Sequence, residues 1–197
     1  QTYENEVDRL FGNITIGYDI LEGLNVTYRI GTDFYTDRRK QFMAIRNVQG
    51  QNAANNDNGM YSERQIYYRE VNSDLIVSYN RELSEDLTLD LLVGNNINQR
   101  ENDDLTATAD ALANNEFRSL SNIIGTPLTA SFRDKRRLVG LYGSAKVGYR
   151  NFLWLEVTGR NDWSSTLPID DNSFFYPSVN LAFDAAEAFG LAETTPI

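Results

Sequence analysis

Alternation between two kinds of side chain is the strongest constraint in this sequence, and it is clearest between Leu138 and Asp184. In three successive segments every second residue is mostly aliphatic, and the residues between are polar, charged or small. The aliphatic positions are Val139, Leu141, Ala145 and Val147, then Leu153, Leu155 and Val157, then Val179, Leu181 and Phe183. Because successive side chains of a strand point to opposite faces, this period of two predicts β-strands with two chemically different faces.

Two kinds of protein contain such strands. A soluble antiparallel sheet packs its aliphatic face on a core and leaves its polar face in water. A membrane barrel places the aliphatic face in lipid and the polar face in a wet lumen. The alternation alone does not distinguish a soluble sheet from a membrane barrel. The turns and loops provide the evidence that does.

Composition argues against several classes of function. The 197 residues contain neither histidine nor cysteine, which removes the commonest general base, the commonest metal ligand and any disulfide. We therefore expect no enzyme activity, no metal and no cofactor. The net charge of -10 argues against nucleic acid as a partner. The mean hydropathy of -0.46 fits no transmembrane helix, but it is compatible with a barrel, whose strands are only half apolar.

The order of turns along the chain favours the membrane. Short turns are predicted near Glu22, Ser84 and Asn151, and long polar loops at about 37–62, 98–133 and 164–173. A chain that alternates them folds as an up-and-down meander, with all short turns at one end of the strands and all long loops at the other. That asymmetry is typical of outer-membrane barrels, which have short periplasmic turns and long extracellular loops.

Local patterns add detail to this meander. Residues 1–8 are predicted as a loop, and Leu105–Ala113 as a short helix inside the second long loop. Pairing Ile20 with Leu24 leaves a three-residue turn ending in Gly23, where glycine suits a left-handed backbone.

The turn near Asn151 allows two registers. Pairing Tyr149 with Phe152 would mix the two faces, whereas pairing Tyr149 with Leu153 keeps the aliphatic residues together. We predict the second register, with a three-residue turn over residues 150–152 and with Lys146 and Glu156 on the polar face.

Aromatic residues gather near both predicted ends of the strands. Near the short turns are Tyr18, Tyr79, Tyr149, Phe152 and Phe183, and near the long loops are Phe34, Tyr35, Tyr67, Trp163, Phe174 and Phe175. Two such bands are typical of the girdles of a lipid-facing belt. Tyrosines also cluster at strand ends in soluble sheets, so the bands favour the membrane without requiring it.

The pattern predicts about seven strands, and an odd number does not close a single-chain bacterial barrel. An open lipid-facing sheet would leave two unpaired edges in hydrocarbon, at several kcal/mol for each unsatisfied backbone group. Either one strand escapes the pattern or these residues belong to a larger barrel, and the larger barrel is favoured.

A motif in the last third of the chain is more specific. It combines an Arg-x-Asp-x-Ser-Ser segment with an aromatic-Pro-Ser segment, namely Arg160, Asp162, Ser164, Ser165, Tyr176, Pro177 and Ser178. The segment resembles the barrel signature of the SusC/RagA family of TonB-linked outer-membrane transporters. Ala182-Phe183 stands where that family commonly has Gly-Trp.

The resemblance implies that residues 1–197 are a partial β-barrel domain of a TonB-dependent receptor that imports glycan or peptide. Such proteins lie in the outer membrane of Gram-negative bacteria, and the whole receptor has 22 strands and an N-terminal plug. Its implied partners are TonB, through the missing N-terminal region, a SusD-like surface lipoprotein, and outer-membrane lipid. No plug is present in this sequence, and the polar start Gln1–Asp8 is not a signal peptide.

Several charged clusters can be interpreted either as structural or solvated surface residues or as binding sites. Arg160 and Asp162 share a strand face, so they are expected to pair structurally, and Ser164 to bond the backbone at the loop start. Two basic clusters either contact anionic lipid head groups, lipopolysaccharide included, or form a solvated rim; they are Arg38, Arg39 and Lys40, and Arg133, Lys135, Arg136 and Arg137. Two acidic runs, residues 102–104 and 170–172, read as solvated loops more readily than as calcium sites.

Two other architectures stay open at this point. A soluble all-β carbohydrate-binding module would bury the aliphatic faces against a second sheet. A complete eight-stranded barrel with a structural role would need one more strand.

Overall fold

The computed structural model describes residues 1–45 and 58–191 and gives them one seven-stranded sheet. The strands are β1 (Thr2–Leu21), β2 (Leu24–Met43), β3 (Met60–Ser84), β4 (Leu87–Ala109), β5 (Leu128–Tyr149), β6 (Leu153–Ser164) and β7 (Ser173–Phe183). The helical content is a 3-10 turn, Ile169–Asp171, and one short helix α1, Ala185–Ala188. No helix in the two described ranges is long and apolar enough to cross a membrane.

Each strand lies beside its neighbours in sequence, in the order β1 to β7. This confirms the all-β meander of seven strands. It also removes the support for a sandwich, because the described residues provide no second sheet to cover the aliphatic faces. Within the described part of the chain, β1 and β7 are the two edges of the sheet.

The three short turns lie where the sequence predicts them. Gly23 has a φ of 80°, in the left-handed region that suits glycine. In the turn between β5 and β6, Arg150 and Asn151 also adopt positive φ, 52° and 57°. Tyr149 pairs with Leu153, which confirms the predicted register of that hairpin.

The predicted strand ends beside the long loops are wrong. Of the predicted loop 1–8, residues 2–8 are strand, because β1 begins at Thr2. The strands β2 and β3 run into the predicted loop 37–62, of which residues 46–57 lie outside the described part. Likewise β4 runs to Ala109 and β5 begins at Leu128, so the predicted helix at Leu105–Ala113 is instead strand followed by bends.

Two compact units share these strands. The first comprises Gln1–Gly12, Thr32–Glu70 and Arg100–Lys135. Its small core is Phe42, Tyr61, Ala109 and Leu112, and the loop between β4 and β5 packs on it. The amide of Asn122 holds that loop by donating to the carbonyl oxygens of Asn114 at 2.8 Å and Phe117 at 2.7 Å.

Cross-strand ion pairs connect the polar strand segments of this first unit. They include Arg9 with Asp33 at 2.6 Å, Arg69 with Glu101 at 2.7 Å, Arg133 with Asp103 at 2.6 Å, and Arg64 with Asp104. Opposite charges directly across an antiparallel ladder stabilise the pairing of strands that have no apolar face.

The second unit comprises Asn13–Gly31, Val71–Gln99 and Arg136–Ile197, described as far as residue 191. It contains the predicted motif and the hairpins of β5 with β6 and of β6 with β7. Its two faces carry the features on which a functional interpretation depends.

Candidate functional site

One face of β5, β6 and β7 is a continuous aliphatic surface. The registers form three rows across the strands: Tyr149–Leu153–Phe183, Val147–Leu155–Leu181 and Ala145–Val157–Val179. Most of the large side chains in these rows are exposed, Leu181 to 71% and Val179 to 68%. A contiguous exposed apolar surface of this kind marks contact with a membrane or with another protein.

The height of this surface matches a bilayer. The same face continues beyond the three aliphatic rows, through further rows that also contain Asn161 and Ser173: Gly143–Gly159–Pro177, Leu141–Asn161–Phe175 and Val139–Trp163–Ser173. From Leu153 to Trp163 the strand rises by about 34 Å, at about 3.4 Å per residue. With the usual barrel tilt of about 40°, that length spans about 26 Å, close to the apolar band of about 25 Å in outer-membrane barrels.

Aromatic rings border this surface at the short-turn end. Tyr149, Phe152, Phe183 and Phe189 form a chain of edge-to-face contacts with centroid separations of 5.6, 6.0 and 6.3 Å. Arg150 lies in the same turn and binds Asp86 at 3.0 Å, which raises the pKa of its guanidinium. This group supports the predicted girdle near the short turns.

The other predicted girdle is only partly on the aliphatic face. Trp163 has the same orientation along β6 as Leu155 and Val157, so it belongs there. Phe174 pairs with Asp162 and therefore lies on the opposite, polar face. Tyr35, in the first unit, alternates with Phe34 and stacks on Tyr68 at 5.1 Å. Phe174 was therefore assigned to the girdle wrongly, because sequence position alone does not give the face.

The polar face holds the first half of the predicted motif. The Nε of Arg160 donates to both carboxylate oxygens of Asp162 at 2.9 Å, and its guanidinium lies 5.5 Å from the ring centre of Tyr142. Gly140 makes room for the pair, since a Cβ there would lie 2.6 Å from Arg160 Nη2 and Asp162 Oδ1. The predicted structural pairing of Arg160 and Asp162 is present.

Ser164 and Ser165 organise the start of the loop between β6 and β7. The buried hydroxyl of Ser164 lies 2.9 Å from the hydroxyl of Thr166 and accepts from the Thr166 amide at 3.5 Å. Ser165 and Arg137 exchange two bonds: the Ser165 amide donates to the Arg137 carbonyl at 2.9 Å, and the Arg137 amide donates to the Ser165 hydroxyl at 2.8 Å. The loop is therefore tied to both β5 and β6.

The second half of the motif divides between the faces. Tyr176 pairs with Arg160 and Ser178 with Thr158 on the polar side, whereas Pro177 pairs with Gly159 on the aliphatic side. The Asp184 amide donates to the Phe152 carbonyl at 2.7 Å, and the Ser164 amide donates to the Asn172 carbonyl at 3.0 Å. Because hydrogen-bonded pairs alternate along an antiparallel ladder, those between β6 and β7 lie at even positions. Pro177 therefore removes no bond between β6 and β7.

A further polar cluster on β3 and β4 has no signal in the sequence. Asn96 donates to Asp74 at 2.6 Å and to Asn72 at 3.2 Å, and Asn72 donates to Asp74 at 3.0 Å. These residues are scattered in sequence, and only the register of two strands brings them together. Tyr142 was also missed, although the predicted register places it opposite Arg160.

The charged clusters are split by strand geometry. Arg38 and Arg39 point to opposite faces of β2 and bind Asp8 and Asp37 respectively. The run 102–104 is likewise strand, not loop, so its two carboxylates point to opposite faces and bind arginines. Among the described residues, no group of three or more acidic side chains is placed to hold a metal ion.

Structure comparison finds this fold in a transporter. The chain is similar to the RagAB peptide transporter at 18% identity and a TM-score of 0.86, with 95% of this chain and 21% of that chain covered. It matches the RagAB peptide importer equally in the open-open state, with a TM-score of 0.86 over 95% of this chain and 20% of that chain, again at 18% identity. In the closed-closed state the TM-score is 0.82 over 99% of this chain and 21% of that chain, also at 18% identity.

These matches concern the fold. The chain spans about a fifth of the length of the solved chains it matches. No family model and no curated protein sequence matches it.

Proposed function

We propose that this chain forms part of the wall of a larger outer-membrane barrel that imports nutrients in a TonB-dependent manner. One observation carries the proposal: the face of β5, β6 and β7 that bears the aliphatic rows is exposed and has bilayer height from Leu153 to Trp163, and charged and polar residues lie on the reverse face. A soluble sheet would leave that surface in water, whereas lipid accommodates it. The match to the RagAB peptide transporter supports the same function.

In this proposal the wall is passive. Peptide or glycan passes along the polar face, TonB acts on a plug outside these residues, and a SusD-like surface lipoprotein covers the extracellular side. No residue of the chain is assigned a catalytic role, and Arg160 with Asp162 fixes the strand end where the lumen meets the loop.

Cell fractionation and uptake test this function. An antibody raised against this chain should detect its antigen in the outer-membrane fraction. Deleting the gene, or inactivating TonB, should abolish uptake of a labelled oligopeptide or oligosaccharide to the same extent. An antigen found only in the soluble fraction would overturn the membrane assignment, and uptake that persists without TonB would overturn the transport mechanism.

Lipid contact at the rim has a specific candidate. Arg137 precedes the aliphatic positions of β5 on the same face, and its guanidinium donates to Gln99 Oε1 at 2.7 and 3.1 Å. Among the described residues it forms no ion pair. An unpaired cation beside a lipid-facing surface suits a phosphate of lipopolysaccharide. Arg136 points to the opposite face and is the matched control.

The two charge reversals separate the interpretations. In the full-length protein, Arg137→Glu should reduce the lipopolysaccharide that co-purifies, whereas Arg136→Glu should not. Equal retention in both variants would leave Arg137 as a solvated rim residue.

A further inference from the structure

The polar cluster of β3 and β4 holds the carboxylate of Asp74 in a fixed orientation. One oxygen of Asp74 accepts from Asn96 at 2.6 Å, and the other accepts from Asn72 at 3.0 Å. Asp74 is half-buried, and among the described residues it forms no ion pair. Because an ionised carboxylate offers about four acceptor positions, Asp74 retains unused capacity to accept hydrogen bonds.

A second carboxylate on the same face shows what Asp74 lacks. Asp90 points to the same face of β4 as Asn96, because the two positions are an even number of residues apart. It accepts from Asn80 at 2.7 Å, and it also lies 3.7 Å from Lys146 Nζ. A charge that is partly removed from water costs stability unless an opposite charge compensates it. At Asp74 a cation from outside the chain would provide that compensation.

Asp74 belongs to a continuous surface that crosses four strands. Gly94 and Asn96 share one face of β4, and a Cβ on Gly94 would lie 2.3 Å from Tyr142 Cζ, so the ring of Tyr142 occupies the space above Gly94. Tyr142 in turn pairs with Arg160 across β5 and β6. The surface therefore lies on the polar face, on β3 to β6, away from the edge strands β1 and β7 of the described sheet.

The charges of this surface do not cancel. The Nε of Arg160 donates to both oxygens of Asp162 at 2.9 Å, and its Nη2 lies 2.8 Å from one of them. Arg160 also attracts Asp74 at longer range, but these contacts hold its guanidinium on Asp162. One guanidinium and two carboxylates leave an excess of one negative charge, which is that of Asp74. Such a surface attracts a ligand with a positive charge and repels an anionic one.

We infer that Asp74, with Asn96 and Tyr142 beside it, is a subsite for a protonated amine of the imported cargo. The inference rests on the proposed function, which brings cargo to the polar face. The amine donates to the unused lone pairs of Asp74, and the ring of Tyr142 packs against the carbon atoms next to the amine. A lysine side chain or N-terminus of a peptide supplies this group, and so does an amino sugar.

Matched neutral and charged probes test the subsite. The full-length protein, purified in detergent, is equilibrated with a peptic digest of casein mixed with the same digest after its amines have been acetylated, and mass spectrometry measures the bound lysine peptides. The free amines should be retained about fivefold to thirtyfold over the acetylated forms, between the effect of an exposed ion pair and that of a charged hydrogen bond in a desolvated site. Added salt should reduce this preference. Chitosan oligomers and their N-acetylated forms are the second pair, which distinguishes an amino sugar from a peptide as the source.

Two isosteric variants locate the preference. Asp74→Asn keeps the shape of the side chain and removes its charge, so the preference for the free amine should disappear. Asp90→Asn removes one negative charge from the same face and should leave the preference unchanged. Heat-modifiable migration should show that both variants are folded. A preference that persists in Asp74→Asn, or that is lost equally in Asp90→Asn, would assign it to the field of the whole face and overturn the subsite.

The wild-type protein separates this inference from the function beneath it. Equal retention of the charged and neutral forms in both probe pairs would overturn the subsite and leave the transporter assignment intact. Retention of no probe would also overturn the subsite. The proposed function fails with it only if the protein is in addition absent from the outer-membrane fraction.

Discussion

Replacing Val157 by arginine tests the assignment of the aliphatic face to lipid. Val157 lies in the row Ala145–Val157–Val179, four residues from Leu153 at one end of the belt and six from Trp163 at the other. In the proposed membrane arrangement it therefore lies near the middle of the bilayer. Arginine there costs about 2–4 kcal/mol of barrel stability, which shifts the folding equilibrium by roughly thirtyfold to several hundredfold.

Two control variants test whether the loss of stability depends on the face and on the depth of the substitution. Thr158→Arg places the same charge one residue away on the polar face, where a wet lumen accepts it, and we expect a change near zero. Asn161→Arg places it on the aliphatic face but closer to the belt edge, where we expect about 0–1 kcal/mol. The predicted profile thus depends on both face and depth.

The measurement is urea unfolding of the full-length protein in phospholipid vesicles, followed by tryptophan fluorescence and heat-modifiable migration. If Val157→Arg and Thr158→Arg cost the same, the two faces have the same solvent and the reasoning is refuted. If Val157→Arg is costly while Asn161→Arg is equally costly, the surface is a protein interface rather than a bilayer contact.

Three smaller predictions concern local packing; the same unfolding assay serves all of them, and the last also needs limited proteolysis. Gly140→Ala should cost about 1–3 kcal/mol by displacing the adjacent guanidinium–carboxylate pair, whereas Gly12→Ala, with nothing within 4 Å of its new Cβ, should cost nothing. Pro177→Ala should cost no more than about 1 kcal/mol, since proline there stabilises only by restricting the unfolded chain; a larger loss would contradict its position outside the β6–β7 hydrogen bonds. Asn122→Ala should speed proteolytic cleavage of the β4–β5 loop without changing the urea midpoint, because it removes three side-chain bonds inside that loop. Unchanged cleavage would contradict this role.

The sequence predicts those parts of the fold in which the two faces of a strand differ in chemistry. Val147, Leu155 and Leu181 alternate with Lys146, Glu156 and Asn180, and this difference determined both the number of strands and the β5–β6 register. A shift of one residue would have exchanged the faces, so few registers were compatible with the pattern.

The sequence predicts which residues form the motif, but it predicts only some of the contacts between them. The pairing of Arg160 with Asp162 follows from their spacing of two along one strand. The space that Gly140 provides for them and the reciprocal bonds of Ser165 with Arg137 depend on a neighbouring strand. Such features can be deduced only once the register is extended along the whole hairpin.

The strand ends beside the long loops were missed for a physical reason. Alternation arises where one face meets an apolar environment and the other meets water. In segments such as Thr2–Asp8 and Arg100–Asp104 both faces carry polar and charged residues, so the periodicity disappears although the backbone remains a strand. Ion pairs between neighbouring strands, such as Arg38 with Glu6 and Arg69 with Glu101, replace apolar contact there. A sequence method that looks for alternation therefore finds the part of each strand whose two faces differ in chemistry, and it assigns the rest to loops.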